Sequence, residues 1–169
     1  RCMFIAWQRF IELSARQGSA RWDTLRRHDL SGPLCPCINE GLFYLAALGS
    51  DWVIQRHTLR EQGVVVAGPD PRSLIDPVQP DDLRRAVLGF LREWWAPMLQ
   101  DPDPRLHGGE YQAYAVLTMC RALYTLRHGD VVSKMAAARW AQEALGERWE
   151  GLIGRALAWR RDAPSSGDG

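Results

Sequence analysis

The chain contains 169 residues, of which 46% are hydrophobic, and its formal net charge is +1. This composition is typical of a soluble globular domain, and the near-zero charge excludes recognition of nucleic acid or of an anionic membrane through overall charge. No apolar stretch is long enough to span a bilayer and no signal peptide is recognisable, so we expect a cytoplasmic protein. Cys35 and Cys37 are separated by one residue, which is not the usual metal-ligand spacing, and no metal site is predicted.

The chain is predicted to contain three regions. Residues 1–48 show no recognisable chemistry and stay unassigned. Because the sequence begins with Arg1 rather than Met, we expect a domain remnant or a mis-started region of a truncated frame. Residues 49–160 are predicted to form a helical domain. Residues 161–169 are predicted to be a disordered tail because their composition is dominated by Ser, Gly and Asp.

The first half of the helical domain shows two helical patterns. Residues 52–61 predict a short helix, and Gly63 suits the position just past its C-terminus. A second helix is expected to begin near Pro80, where acidic residues favour the N-terminal dipole. Its apolar face runs through two adjacent tryptophans, Trp94 and Trp95, and we expect Pro97 to end it.

The second half predicts three further helices. Residues 111–126 form the most apolar stretch, which Gly129 should end. Ser133 is a plausible N-cap for a helix that continues to Leu145 and closes at Gly146. A last apolar pattern ends near Trp159. The predicted fold is mainly α, a helical bundle of four to five helices with short connections.

Arg121 is the one charged residue within the apolar stretch 111–126. A guanidinium in a buried helix costs free energy unless it is paired or reaches a cavity. Two interpretations stay open. Arg121 forms a structural ion pair with a carboxylate of a neighbouring helix, or it faces a cleft and binds an anionic ligand.

Lys134 favours the second interpretation. If Ser133 is the N-cap, Lys134 lies in the first helical turn, where a cation is electrostatically unfavourable. A bound phosphate would remove the conflict, because the free backbone N–H groups, the helix dipole and the ammonium would all interact with it. The alternative is that Lys134 extends into solvent. Together, Arg121 and Lys134 predict a phosphate site.

Several segments resemble the C-terminal domain of aminoglycoside (streptomycin/spectinomycin) adenylyltransferases. The central match is residues 117–124, which include Arg121. Residues 64–69, 74–78 and 82–83 resemble the entry to that domain, and Gly129 with residues 133–141 resembles the segment that follows. The resemblance extends from about residue 49 to residue 159.

This resemblance implies a fold, substrates and site residues. The family's N-terminal nucleotidyltransferase domain carries Gly-Ser, an Asp-x-Asp pair that binds magnesium, and a carboxylate base; ATP and the drug lie between the two domains. The resemblance implies that a complete resistance enzyme binds ATP with Mg²⁺ and an aminoglycoside antibiotic. The family's phosphate contacts fall on Arg121 and Lys134. The nearest candidates for the drug site are Trp94, Trp95, Asp101, Asp103 and Glu110.

Residues 1–48 contain neither the Gly-Ser motif nor the Asp-x-Asp pair. We therefore identify no catalytic residue or metal ligand, and we expect negligible transferase activity from this chain without a missing or separate nucleotidyltransferase domain. Two alternatives remain. Arg121 and His128 resemble the motif of helical ribonucleases of the HEPN class, which need no metal, or the chain is a non-catalytic partner of a separate nucleotidyltransferase.

Overall fold

The computed structural model describes residues 26–27, 34–39, 42–65, 68–101 and 104–162. The chain divides into two compact units, Arg1–Val78 and Gln79–Gly169. The three predicted regions stay a prediction, and most of the predicted tail, residues 163–169, lies outside the described residues.

The first unit contains a β-hairpin and two helices. Strand β1, Cys35–Asn39, pairs antiparallel with strand β2, Leu42–Ala46, so that Cys35 lies opposite Ala46. Helix α1 covers Asp51–Gln62 and confirms the first predicted helix, which ends at Gly63.

Helix α2, Pro71–Leu74, is a single turn whose N-cap Asp70 accepts a hydrogen bond from the amide of Arg72 at 2.8 Å. The guanidinium of Arg60, in α1, donates to the carbonyls of Arg72 and Ile75 at 2.6 Å each. These carbonyls lie at the end of a short helix and have no helical partner, so Arg60 joins the two helices by satisfying them.

The second unit begins with an interrupted helix. Helix α3, Pro80–Phe90, is followed by a π-helical turn, Leu91–Trp95, and then by helix α4, Ala96–Gln100. The prediction that Pro97 ends the helix is therefore wrong. Pro97 removes one backbone donor and crowds the preceding turn, and the wider π-helical turn before it accommodates the ring so that the chain continues as a helix.

Three long helices complete the second unit: α5, Gly109–His128; α6, Lys134–Leu145; and α7, Glu147–Asp162. A short 3₁₀ turn, Pro104–His107, precedes them. Gly129 ends α5 in the left-handed conformation, with φ of 69°. The prediction of a mainly α bundle is confirmed.

The core between α5, α6 and α7 consists largely of small side chains. Ala137, Ala138 and Ala141 of α6 are completely buried, and Leu117 of α5 is 1% exposed. Small residues at these positions let the helix backbones approach closely. The remaining buried members of this cluster are Ala113, Cys120, Ile153 and Ala156.

Candidate functional site

Arg121 lies in the middle of α5 with a half-buried side chain. Burial lowers the pKa of its guanidinium, because the charged form loses part of its hydration. Within the part of the chain that the structure describes, no carboxylate forms an ion pair with Arg121. The described residues therefore give no support to the interpretation that this arginine belongs to a structural ion pair.

Lys134 is the first residue of α6, as the N-cap prediction for Ser133 required. The hydroxyl of Ser133 accepts a hydrogen bond from the amide of Ala136 at 3.2 Å. Lys134 is half-buried, and its ammonium lies 3.7 Å from the ring centroid of Tyr114. It is also the single lysine of the sequence. The alternative that it simply extends into solvent does not describe this position.

The pKa of Lys134 is lowered from 10.5 to about 8. Burial of the ammonium is the largest cause, and the positive charges of Arg121 and Arg160 add to it. Like charges raise the cost of protonating the amine, and among the described residues no carboxylate offsets them. The site is therefore electropositive, and an anion bound there would reverse the shift.

A ring contact places Lys134 over Tyr114, on the face of α5 that also contains Arg121. Lys134 opens α6 beside Tyr114, while Trp140, six residues further, packs on Tyr124 and His128 with centroids 5.3 Å from each. The segment after Gly129 thus returns the chain along α5 before α6 begins. Tyr114 and Arg121 are seven residues apart, which places them on one face of the helix.

Tyr114 and Arg160 were not singled out in the sequence. A tyrosine such as Tyr114 is common in an apolar helix, and an arginine such as Arg160 is common near a helix C-terminus. Neither residue therefore stands out in the sequence. Their relation to Lys134 depends on how α5, α6 and α7 pack together. No local pattern reports that packing.

Trp95 joins an aromatic cluster beside the cations. Its ring lies 6.3 Å from Tyr114 and 6.5 Å from Tyr111, measured between centroids, and the two tyrosines are 5.6 Å apart. The Nε1 atom of Trp95 is buried without a hydrogen-bond partner among the described residues. Trp94, by contrast, is 48% exposed. Of the two tryptophans, the structure brings Trp95 to the surroundings of Lys134.

The acidic residues predicted for the drug site form no ion pair with Arg121 or Lys134 in the part of the chain that the structure describes. Asp101 and Glu110 are exposed, and within the described ranges neither side chain forms a hydrogen bond or an ion pair. Asp103 lies outside the described residues. Their role in drug binding stays a prediction.

His128 is exposed at the end of α5, where its ring packs on Tyr124 with centroids 4.4 Å apart. The described contacts of His128 are ring packing. None of them places its imidazole next to Arg121, as the ribonuclease alternative would require. Across the described ranges, no cluster of three or more His, Cys, Asp or Glu side chains is suited to a metal ion. No described helix combines the length and apolarity needed to cross a membrane.

A family model described as the C-terminal domain of aminoglycoside adenylyltransferase matches residues 73–166. Since the match covers more than half of the chain, the chain belongs to this family. The resemblance seen in the sequence is confirmed.

The relatives agree with this assignment. An aminoglycoside (3'') (9) adenylyltransferase of Klebsiella pneumoniae is 33% identical over 113 residues, which are 67% of this chain and 40% of the relative. A protein of the same name from Rhizobium radiobacter is 29% identical over 113 residues, 67% of this chain and 39% of the relative. The chain thus matches about 40% of the length of these curated relatives. None of these matches supports the ribonuclease alternative.

Proposed function

We propose that this chain supplies the nucleotide-binding and drug-binding helical domain of an aminoglycoside adenylyltransferase. In the complete enzyme, the drug hydroxyl oxygen would form a bond to the α-phosphorus of ATP while the bond to pyrophosphate breaks. The hydroxyl proton would pass to a base outside the residues assigned here. Arg121 and Lys134 bind the phosphates of the nucleotide.

The observation that supports this role is that two half-buried cations lie close enough to affect each other, while no carboxylate of the described residues forms an ion pair with either of them. Folding alone does not favour that arrangement, because each cation loses hydration and the two repel each other. A phosphate offers several acceptor oxygens and at least one negative charge, so it would bind both groups through charge-assisted hydrogen bonds. The first-turn amides of α6 would add donors, since they lack helical partners.

The drug would bind next to this phosphate site. Trp94 and Trp95 provide aromatic faces, and Asp101, Asp103 and Glu110 provide carboxylates. Aminoglycosides are polycationic sugars, which are recognised by carboxylates and by the faces of aromatic rings. Trp95 is the strongest member of the set, because its ring cluster includes the tyrosine beneath Lys134.

Catalysis requires more than the described residues provide. Magnesium would neutralise phosphate charge in the complete enzyme, but the described residues include no acidic cluster that fits the ion. We therefore assign Arg121 and Lys134 to binding, and we expect the chain alone to show negligible adenylyl transfer. A turnover assay with ATP, magnesium and streptomycin tests this expectation. Adenylylated drug at enzyme-like rates would contradict it.

Binding can be tested independently of turnover. Calorimetric titration of the full chain with ATP should show that Arg121→Gln and Lys134→Gln each weaken binding about tenfold, as expected for loss of a charge-assisted contact. Arg127→Gln is the matched control, because Arg127 is an exposed arginine of the same helix. It should bind ATP within about twofold of the wild type. Unchanged binding by the Arg121 and Lys134 variants would overturn the proposed phosphate site.

A further inference from the structure

The C-terminal part of α7 lies against the beginning of α5. A Cβ atom built on Gly109 would be 3.2 Å from the ring of Trp159. The absence of a side chain at Gly109 thus lets the indole pack directly on the first turn of α5. Arg160, the next residue along α7, is thereby held near the N-terminal end of α5.

The same end of α5 contains the ring beneath Lys134. Tyr114 follows Gly109 by five residues, which is about 7.5 Å along a helix axis. An arginine side chain can span that separation, and the charge of Arg160 does act on Lys134. Arg160 is exposed, and within the described ranges it forms no ion pair with a carboxylate. The charges of Arg121 in α5 and Arg160 in α7 both act on Lys134 in α6, so the three cations lie in one region.

We propose that Arg160 is a third cation of the Arg121–Lys134 site and that it makes this site selective for polyphosphates over monophosphates. The inference rests on the proposed phosphate-binding role of the other two cations. It adds a residue from a third helix and a preference among anions.

The charge and the spacing of the cations support this preference. A monophosphate carries at most two negative charges on one phosphorus, so three cations that bind it would be crowded around a single group. The triphosphate of ATP carries up to four charges along an extended chain. Each cation can then contact a different phosphoryl group, so the attraction is gained without crowding the three cations on one anion.

The test compares affinities of the full chain for ATP and AMP by calorimetric titration. Arg160→Gln should weaken ATP binding about tenfold and AMP binding less than about twofold. Arg155→Gln is the control, since Arg155 is also an exposed arginine of α7 without an ion pair among the described residues. It should leave both affinities within about twofold. Equal effects of Arg160→Gln on ATP and AMP, or no effect on either, would overturn the inference.

Inorganic triphosphate separates contacts with phosphate from contacts with the nucleoside. The losses caused by Arg160→Gln should be the same for ATP and for inorganic triphosphate. A loss confined to ATP would place Arg160 at the nucleoside and contradict the proposal.

A second measurement needs no ligand. Reductive methylation with labelled formaldehyde gives one lysine signal by NMR, because Lys134 is the single lysine. Its pKa should rise in Arg160→Gln and stay unchanged in Arg155→Gln, and no rise in the former would contradict the proximity of Arg160. If the Arg121 and Lys134 variants weaken ATP binding while Arg160→Gln does not, this inference alone fails. If those variants also bind normally, the proposed function fails as well.

Discussion

Arg84, which contacts α5, and Arg121, which belongs to α5, lie in opposite kinds of environment. Arg84, from α3, donates from Nε to the carbonyl of Leu126 at 3.1 Å and from a terminal nitrogen to the carboxylate of Asp81 at 2.7 Å. It thus satisfies a carbonyl at the helix end that has no helical partner. Arg121 is half-buried in the same helix and has no such acceptor in the described residues.

Arg84 therefore stabilises the fold, whereas the burial of Arg121 costs free energy. The C-terminal end of α5 forms its contacts within the chain. Among the described residues, no carboxylate forms an ion pair with Arg121 or Lys134. Half-buried cations without an ionic partner cost free energy, so we expect the face with Arg121 and Lys134 to lower the stability of the free chain.

The largest expected effect is at the tight end of α5. A Cβ on Gly129 would lie 2.6 Å from the Cβ of Pro80, and the residue has a positive φ. Gly129→Ala should therefore destabilise the protein by about 3–4 kcal/mol, through backbone strain and a contact that cannot relax. Urea denaturation measures the change.

Gly146→Ala measures a backbone cost without a steric contact. Gly146 has a positive φ and a ψ of 177°, a conformation essentially restricted to glycine, and a Cβ there would meet nothing within 4 Å. Its loss should be about 2–3 kcal/mol from backbone strain alone. The left-handed backbone of Gly129 alone would cost only about 1–2 kcal/mol, so a loss of that size in Gly129→Ala would show that the contact with Pro80 does not contribute.

The comparison predicts opposite signs for two arginine substitutions. Arg84→Met should cost about 1 kcal/mol, because a helix carbonyl loses its donor while the exposed ion pair contributes little. Arg121→Met should stabilise the protein by about 0.5 kcal/mol, since a desolvated guanidinium is replaced by an apolar side chain of similar length. Thermal or urea unfolding in phosphate-free buffer measures both. A destabilised Arg121→Met would show that this arginine has a structural partner.

The helix boundaries could be predicted because the signals are local. The hydroxyl cap at Ser133 and the glycines at positions 129 and 146 act within one turn of the helices that they bound. The continuation past Pro97 was missed, since a proline interrupts the regular helical bond and sequence does not show whether a wider turn will absorb it.

The candidate site was predictable in part for a related reason. Arg121 and Lys134 conflict with their local surroundings, one with an apolar helix and the other with a helix dipole, and such conflicts are visible in sequence. Arg160 and Tyr114 fit their local sequence surroundings, so no such conflict marks them. Their place beside Lys134 follows from the packing of Trp159 on Gly109 and from the path of the chain after Gly129. Both are tertiary features.

The stability gained in Lys134→Met should depend on pH, because the pKa of Lys134 is lowered in the folded chain. The pKa of Lys134 is about 8 in the folded chain, whereas an unperturbed lysine has a pKa of 10.5. Below about pH 8 both the folded and the unfolded states are protonated, and the folded state bears the full cost of the buried charge. Between the two pKa values the unfolded chain binds more protons, so wild-type stability rises with pH, and above about pH 10.5 the penalty has gone.

Lys134→Met removes the charge, so the variant should exceed the wild type in stability by about 1 kcal/mol at about pH 7, a figure reduced for solvent screening of a half-buried group. This advantage should shrink between about pH 8 and pH 10.5. Arg139→Met is the control, since Arg139 is an exposed cation of the same helix, and it should differ from the wild type by less than about 0.5 kcal/mol. An advantage of Lys134→Met that persists at alkaline pH would arise from packing. The ammonium would then impose no electrostatic cost, and the contrast between Arg84 and the cations of the Arg121–Lys134 site would lose its basis.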